Sequence, residues 1–162
     1  MNLRSATFEP GSTTPQSMVY RGFGLEGENR SPQLRWDDVP DGTKSFALVL
    51  HDPDAPTSGG FYHWAMFDIP GGVRELAEGA GARGAAGTAI LGHNDFGEKG
   101  YSGMCPPPGH PPHRYTFTLH ALDVPSLGLD ENATGALVEF AAGGHTLAKA
   151  SITGTFARTA SE

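Results

Sequence analysis

The chain has 162 residues, about the length of one domain, and we expect a single domain over residues 1–162. Its 18 acidic and 11 basic residues give a net charge of −7. This balance argues against nucleic acid as a partner and against a polybasic membrane anchor, because both depend on Lys and Arg contacts to phosphates. The longest purely apolar run covers residues 46–50, far short of the ~20 residues of a membrane span, so no transmembrane segment is expected.

The amino terminus and the cysteine content both bear on the compartment. One early Arg is followed by no apolar segment before Glu9 and Pro10, so the first residues do not have the pattern of a secretory signal. Cys105 is the single cysteine, which excludes an intramolecular disulfide. Both features predict a cytoplasmic location.

Three segments predict the main strands of a β-rich fold. Residues 46–51 form a compact apolar run, typical of a strand buried on both faces at the centre of a sheet. Residues 63–69 are rich in aromatic and branched side chains and end at a Pro-Gly-Gly turn signal. Residues 114–121 alternate between apolar side chains and Thr or His, which indicates a half-buried strand. Glycines and prolines, 23 and 13 in number, are spread between these runs as turn material.

Weaker patterns complete the secondary-structure prediction. One helix is predicted from a cap at Asn132 or Thr134 through Phe140, ending at Gly143-Gly144 with an easy left-handed exit. Short helical turns are also expected at residues 145–150 and 74–78. Weaker strands are expected at residues 18–20, 33–36, 88–91 and 152–156.

Two polar segments stand out, each where a predicted strand meets a loop. The first is Asp52-Pro-Asp-Ala-Pro56, which follows the central strand and precedes His63 at the start of the next. The second is a proline-rich loop that begins at Gly103 and closes in His113-Arg114-Tyr115. If the strands are neighbours, their ends bring these side chains together.

These residues resemble the phosphatidylethanolamine-binding proteins, also called Raf kinase inhibitor proteins, of the bacterial type. That family carries an Asp-Pro-Asp-x-Pro segment, a His, and then a Gly-x-x-x-Pro-Pro loop that closes in His-Arg-Tyr. The chain has these motifs in the same order, and the resemblance spans roughly residues 8–156. Supporting matches are Ser31 to Trp36, Gly92 to Gly97 and Gly144 to Ala148.

The resemblance, together with the strand pattern, implies an all-β dominated fold. Its central antiparallel sheet packs on a smaller sheet, with short helices on the carboxy-terminal side. One position departs from the family's pattern: Met104 stands where bacterial relatives more often have Pro.

The resemblance also implies an anion pocket without a cofactor or a catalytic group. Its ligand would be a phosphate-containing small molecule or a lipid headgroup. Imidazoles, a phenol and a backbone amide can all donate hydrogen bonds to phosphate oxygens. Asp52 would hold a histidine in one tautomer and raise its basicity, so that a protonated ring faces the ligand. The implied binding residues are Asp52, His63, Cys105 through its backbone, His113 and Tyr115, with walls from Pro56, Trp64, Pro106 and Pro107.

Other interpretations of the same residues remain open. Asp52 and Asp54 stand beside prolines, where carboxylates often bond their own backbone in turns. His63 and His113 can be structural histidines, and Arg114 is expected to pair with a carboxylate under the site.

Two other functions are compatible with this sequence. One is metal-dependent hydrolysis of phosphate esters, with ligands from Asp52, Asp54, His63, His110 and His113. The other is inhibition of a protease or kinase through contacts of the proline-rich loop with a protein partner. Homodimerisation is left open.

Overall fold

Ten β-strands, one α-helix and a 3-10 turn form the regular structure of residues 1–82 and 87–159, which the computed structural model describes. The 3-10 turn is Gln16–Met18, and the helix α1 is Gly135–Gly143. The strands are β1 (Asn2–Arg4), β2 (Arg21–Gly22), β3 (Leu25–Glu26), β4 (Leu34–Asp37), β5 (Ser45–Asp52), β6 (Phe61–Pro70), β7 (Glu75–Leu76), β8 (Ile90–Leu91), β9 (His113–Leu122) and β10 (Thr146–Phe156).

The main sheet is antiparallel, with strand order β10-β9-β5-β6-β8. β5 lies at its centre, and each residue from Ser45 to Leu50 is buried. The predictions for residues 46–51, 63–69 and 114–121 are therefore confirmed, by β5, β6 and β9 respectively. Because β5 pairs with both β6 and β9, the carboxyl end of β5 lies beside the amino ends of its two neighbours.

Each face of the main sheet is covered by another element. The smaller sheet, with strand order β1-β4-β7, packs on one face, where the Trp36 and Phe46 rings lie 5.3 Å apart. Helix α1 covers the other face through Val138 and Ala142, which pack on apolar residues of β5 and β6. This arrangement confirms the fold class expected from the sequence.

The predicted helix is confirmed, apart from its exit. The Thr134 hydroxyl oxygen accepts a hydrogen bond from the Leu137 amide at 3.2 Å, which caps the first turn. Gly144 has a φ of −79°, so the left-handed exit is wrong. Within residues 1–82 and 87–159, no helix has the length and apolarity needed to cross a bilayer.

The two other helical turns are wrong. Residues 145–150 contain the first part of β10, in which Ala148 pairs with Ala121 and Ala150 with Leu119. Side-chain exposure alternates along this part of β10, as in a strand with one covered face, so long-range pairing outweighs local helix propensity. Residues 74–78 contain β7, which is held by the pairing of Leu76 with Leu34.

The weaker strand predictions have mixed outcomes. Strand β4 confirms the prediction for residues 33–36, and residues 152–156 lie within β10. Of residues 88–91, only Ile90–Leu91 is a strand. Residues 18–20 are not a strand, because the 3-10 turn ends at Met18 and only an isolated bridge joins Val19 to Met104.

Candidate functional site

A cavity of about 200 Å³ lies at the end of the main sheet where β5 stops and β6 and β9 begin. Asp52 is the last residue of β5, Phe61 is the first of β6, and His113 is the first of β9. The cavity is lined by Asp52, Ala55, Pro56, Thr57, Phe61, His63, Phe96, Cys105, Pro106, Pro107 and His113. Seven of the nine residues implied by the resemblance therefore meet around one space.

Asp52 and His113 form a buried pair on this cavity. The Asp52 Oδ2 atom lies 2.6 Å from His113 Nδ1, and the other carboxylate oxygen accepts the Asp54 amide at 2.8 Å. The carboxylate therefore contacts the imidazole and also closes its own turn. Because Nδ1 donates to Asp52, the Nε2 atom of His113 is the nitrogen that points away from the carboxylate, and it lies 3.1 Å from His110 Nδ1.

His63 reaches the cavity through an irregularity in the sheet. Leu50 pairs with Trp64, and His51 pairs with Tyr62, so His63 has no opposite residue on β5 and occupies a bulge. Bulges re-aim side chains and are common beside functional sites. The Nδ1 atom of His63 donates to the Ser102 carbonyl at 2.9 Å, because a carbonyl can only accept.

Burial makes His63 neutral. Its side chain lies inside the protein, and this desolvation lowers its pKa to about 4, against opposing effects from the Ser102 carbonyl and Asp52. At neutral pH His63 therefore carries a proton on Nδ1 alone, and its Nε2 atom is an acceptor. The sequence did not indicate which ring Asp52 would orient; the structure pairs Asp52 with His113.

The loop that carries Cys105 is held against the core on both sides of Met104. The Gly103 amide donates to Asn29 Oδ1 at 2.7 Å, and the Met104 carbonyl accepts the Tyr20 amide at 3.1 Å. Met104 itself is fully buried. Packing and hydrogen bonds fix this loop at Met104, and Cys105 lies at the cavity wall.

Two of the implied residues do not line the cavity. Tyr115 lies beneath it, with its ring centre 5.4 Å from that of His63 and 6.4 Å from that of His113. The Tyr115 hydroxyl is buried and makes no hydrogen bond of regular geometry. Burial and the nearby Asp52 raise the pKa of Tyr115, while the Cys105 amide lowers it. Trp64 belongs to the core, where it packs edge-on against Tyr101 and Phe117.

Sequence reasoning missed the aromatic wall of the cavity. Phe61 and Phe96 both line it, with ring centres 4.8 Å apart, and Phe96 stacks on Tyr20 at 4.6 Å. Phe61 stands two positions before His63, and residues at this spacing point to the same face of a strand. This pattern could have identified Phe61 as a cavity residue. Phe96 lies in the Gly92 to Gly97 match, which gave no hint of its contact with the cavity.

The family of this chain follows from its similarity to known proteins. The family model described as phosphatidylethanolamine-binding protein matches residues 4–157. The chain belongs to the phosphatidylethanolamine-binding protein family. Within this family it is similar to the UPF0098 proteins YbhB and YbcL of Escherichia coli K12. It is 45% identical to YbhB over 96% of this chain and 99% of YbhB, and 43% identical to YbcL over 92% and 83%.

Solved structures of two phosphatidylethanolamine-binding protein relatives share the fold. The crystal structure of Escherichia coli YbcL, described as a new member of the mammalian family, matches with a TM-score of 0.93 at 42% identity over 96% of this chain and 97% of that one. The putative homologue CT736 of Chlamydia trachomatis matches with a TM-score of 0.81 at 35% identity over 97% of each chain.

In this member of the phosphatidylethanolamine-binding protein family, the five residues considered as metal ligands do not form one site, although Asp52, His63 and His113 line the same cavity. Asp54 binds Arg114 instead, with Oδ1 2.9 Å from Nη2, and this pairing lowers the pKa of Asp54 to about 2. Arg114 thus pairs with a carboxylate, as expected. Among residues 1–82 and 87–159, no group of three or more His, Cys, Asp or Glu side chains is arranged to hold a metal ion.

Proposed function

We propose that this protein binds a phosphate-type group, without turning it over, in the cavity around Asp52, His63 and His113. The observation that carries the proposal is the convergence of the two separated motifs on one cavity, with the Asp52–His113 pair in its wall. The proposal includes the cytoplasmic location expected from the sequence.

His113 supplies the charge for anion binding. Its Nδ1 proton is committed to Asp52, so a second proton on the ring resides on Nε2 and makes that atom a charged donor. Hydrogen bonds from a charged donor to phosphate are about twice as strong as neutral ones. Asp52 offsets the positive charge of the buried ring, which explains a carboxylate beside an anion site. Loss of the Nε2 proton therefore removes the charged donor and weakens phosphate binding.

His63 contributes as a neutral group. Its Nε2 atom is an acceptor, because Nδ1 holds the proton that is donated to Ser102. An acceptor matches the hydroxyl of a singly protonated phosphate. The site thus combines one charged donor with one acceptor, a pattern that favours a partly protonated phosphate group over a bare sulfate.

The other walls of the cavity limit the ligand to a small head. Phe61, Phe96, Pro56, Pro106 and Pro107 are apolar, and about 200 Å³ holds a phosphate with a few further atoms. The remaining atoms of a larger ligand would lie outside the cavity, at the protein surface. Phospholipid headgroups, nucleotides and phosphorylated small molecules share the phosphate oxygens that His113 would bind, and only the monoesters among them carry the hydroxyl that matches His63.

Calorimetric titration with inorganic phosphate between pH 5.5 and 8.5 tests the proposal. We expect binding that weakens with rising pH and is lost in His113→Phe, while the exposed and distant His145→Phe variant binds as the wild type does. Parallel titrations with phosphoethanolamine, adenosine monophosphate and phosphatidylethanolamine vesicles separate the sources of the phosphate group. Absence of phosphate binding at each pH, or equal binding by His113→Phe, overturns the proposal.

A further inference from the structure

His110, which is not part of the motif set that defines the cavity, contacts the donor that an anion needs. Its Nδ1 atom lies 3.1 Å from His113 Nε2, with the two ring centres 5.4 Å apart. The chain positions this ring through two backbone hydrogen bonds, from the Gly109 amide to the Arg158 carbonyl at 3.0 Å and from the His110 amide to the Pro107 carbonyl at 3.3 Å. His110 is half-buried.

The contact between His110 and His113 has room for only one proton. A hydrogen bond between His110 Nδ1 and His113 Nε2 contains one proton, which belongs to either ring. In both cases His113 Nε2 is occupied by His110 and has no hydrogen bond left for a ligand. When each of the two atoms carries a proton, two N–H groups face each other and the contact is repulsive.

We propose that His110 competes with the anion for His113 Nε2 and that protons control this competition, a role that rests on the proposed anion binding. We call the contact between His110 Nδ1 and His113 Nε2 the latch. With one shared proton, the latch is closed and an incoming phosphate must displace His110 from His113 Nε2. A second proton opens the latch and leaves His113 free to donate. Phosphate binding is thus coupled to proton uptake by a pair of histidines.

The charged groups around the pair support this assignment of the proton. Asp52 accepts from the far side of the His113 ring and fixes its tautomer. Asp54 stays ionised against Arg114, since its pKa is about 2, and His63 stays neutral, since burial lowers its pKa to about 4.

Two further neighbours, Tyr115 and Cys105, carry no charge near neutral pH. Burial raises the pKa of both Tyr115 and Cys105, although the Arg158 guanidinium acts against this for Cys105. Neither Tyr115 nor Cys105 therefore adds a negative charge beside the proton that His110 and His113 share.

Substitutions at His110 test the latch through phosphate affinity. In His110→Phe the ring remains but the hydrogen bond is lost, and we expect about fivefold tighter phosphate binding at pH 8, the value of one net hydrogen bond. At pH 5.5 the advantage of this variant over the wild type should be smaller, because a proton on each of the two facing nitrogens breaks the wild-type contact. His110→Asn keeps a polar group near the position of Nδ1 but cannot take up a proton, so it should bind phosphate as the wild type does at pH 8 and no more tightly than the wild type at pH 5.5. His145→Phe controls for the loss of a surface imidazole.

Nitrogen NMR of histidine-labelled protein reads the latch without any ligand. We expect a through-hydrogen-bond coupling between His110 Nδ1 and His113 Nε2 at pH 8, which disappears in His110→Phe. No coupling in the wild type, or phosphate binding by the wild type with no gain in His110→Phe at pH 8, overturns the latch and leaves the anion site standing. A coupling without phosphate binding by any variant overturns the proposed function, and the gating role fails with it.

Discussion

His113 Nδ1 and Asp52 Oδ2 lie 2.6 Å apart, and each side chain exposes only 3% of its surface. The contact joins the end of β5 to the start of β9, two chain segments 61 residues apart. It therefore ties the geometry of the cavity to the pairing of the central strands.

Replacing Asp52 by Asn should cost both stability and phosphate affinity. The amide keeps the shape but removes the charge that faces a buried imidazole, and breaking such a pair costs about 3 kcal/mol. Urea denaturation at pH 6.5 measures the free energy of unfolding. The matched control is Asp54→Asn, whose partner Arg114 is exposed, and it should lose much less. Equal losses in the two variants would show that the buried pair has no special role.

The free energy of unfolding should fall as pH decreases from about 6.5 to about 4. The folded protein holds His63 with a pKa of about 4, below the value of about 6.5 for a free histidine, so the unfolded chain binds more protons in this window. This contribution is fully present above pH 6.5 and is lost as pH falls through 4, on the order of 3 kcal/mol in all.

Denaturation of His63→Gln across the same window isolates this contribution. The variant should be less stable at pH 7 and show a flatter pH dependence, whereas His145→Gln should keep the wild-type slope. If His63→Gln keeps that slope, the histidine is not held neutral in the fold.

The sequence predicts the main sheet well because its strongest patterns are local. The faces of β5 and β9 that are buried determine which positions are apolar. This produces a continuous apolar run in β5 and an alternating pattern in β9, and both can be recognised from neighbouring residues in the sequence. Segments 145–150 and 74–78 lack such a signal, and their structure comes from pairing with distant strands.

The site is only partly predictable for the same kind of reason. The motifs identify Asp52, His63 and His113, but the bulge at His63 depends on the register between β5 and β6. That register places Trp64 in the core and leaves the cavity wall to Phe61. The contact between His110 and His113 depends on the path of the proline-rich loop, which no local pattern specifies.

Gly103→Ala should displace the loop that carries Cys105. A Cβ atom on Gly103 would lie 2.0 Å from the Met18 carbonyl oxygen, a contact that neither backbone segment can relieve by rotating a side chain. We expect a loss of more than about 2 kcal/mol and weaker phosphate binding. Gly72→Ala, where nothing lies within 4 Å, should change stability by no more than about 0.5 kcal/mol. Wild-type affinity in Gly103→Ala would show that the loop position does not matter for binding.

Two glycines of α1 should respond to alanine in opposite directions. At Gly135, a Cβ atom would lie 2.5 Å from Tyr62 Cγ, so the clash should outweigh the better helix propensity of alanine. At Gly143, with no atom within 4 Å, alanine should stabilise the protein by up to about 1 kcal/mol. Thermal denaturation of both variants gives the comparison, and a stabilised Gly135→Ala would contradict the close packing of α1 on β6.

A crystal structure of the protein grown with phosphate at pH 5.5 tests the anion site most directly. We expect tetrahedral density in the cavity within hydrogen-bonding distance of His113 Nε2, with His110 moved away and the Asp52 contact intact. An empty cavity, or phosphate bound elsewhere while His110 still contacts His113, would contradict the account.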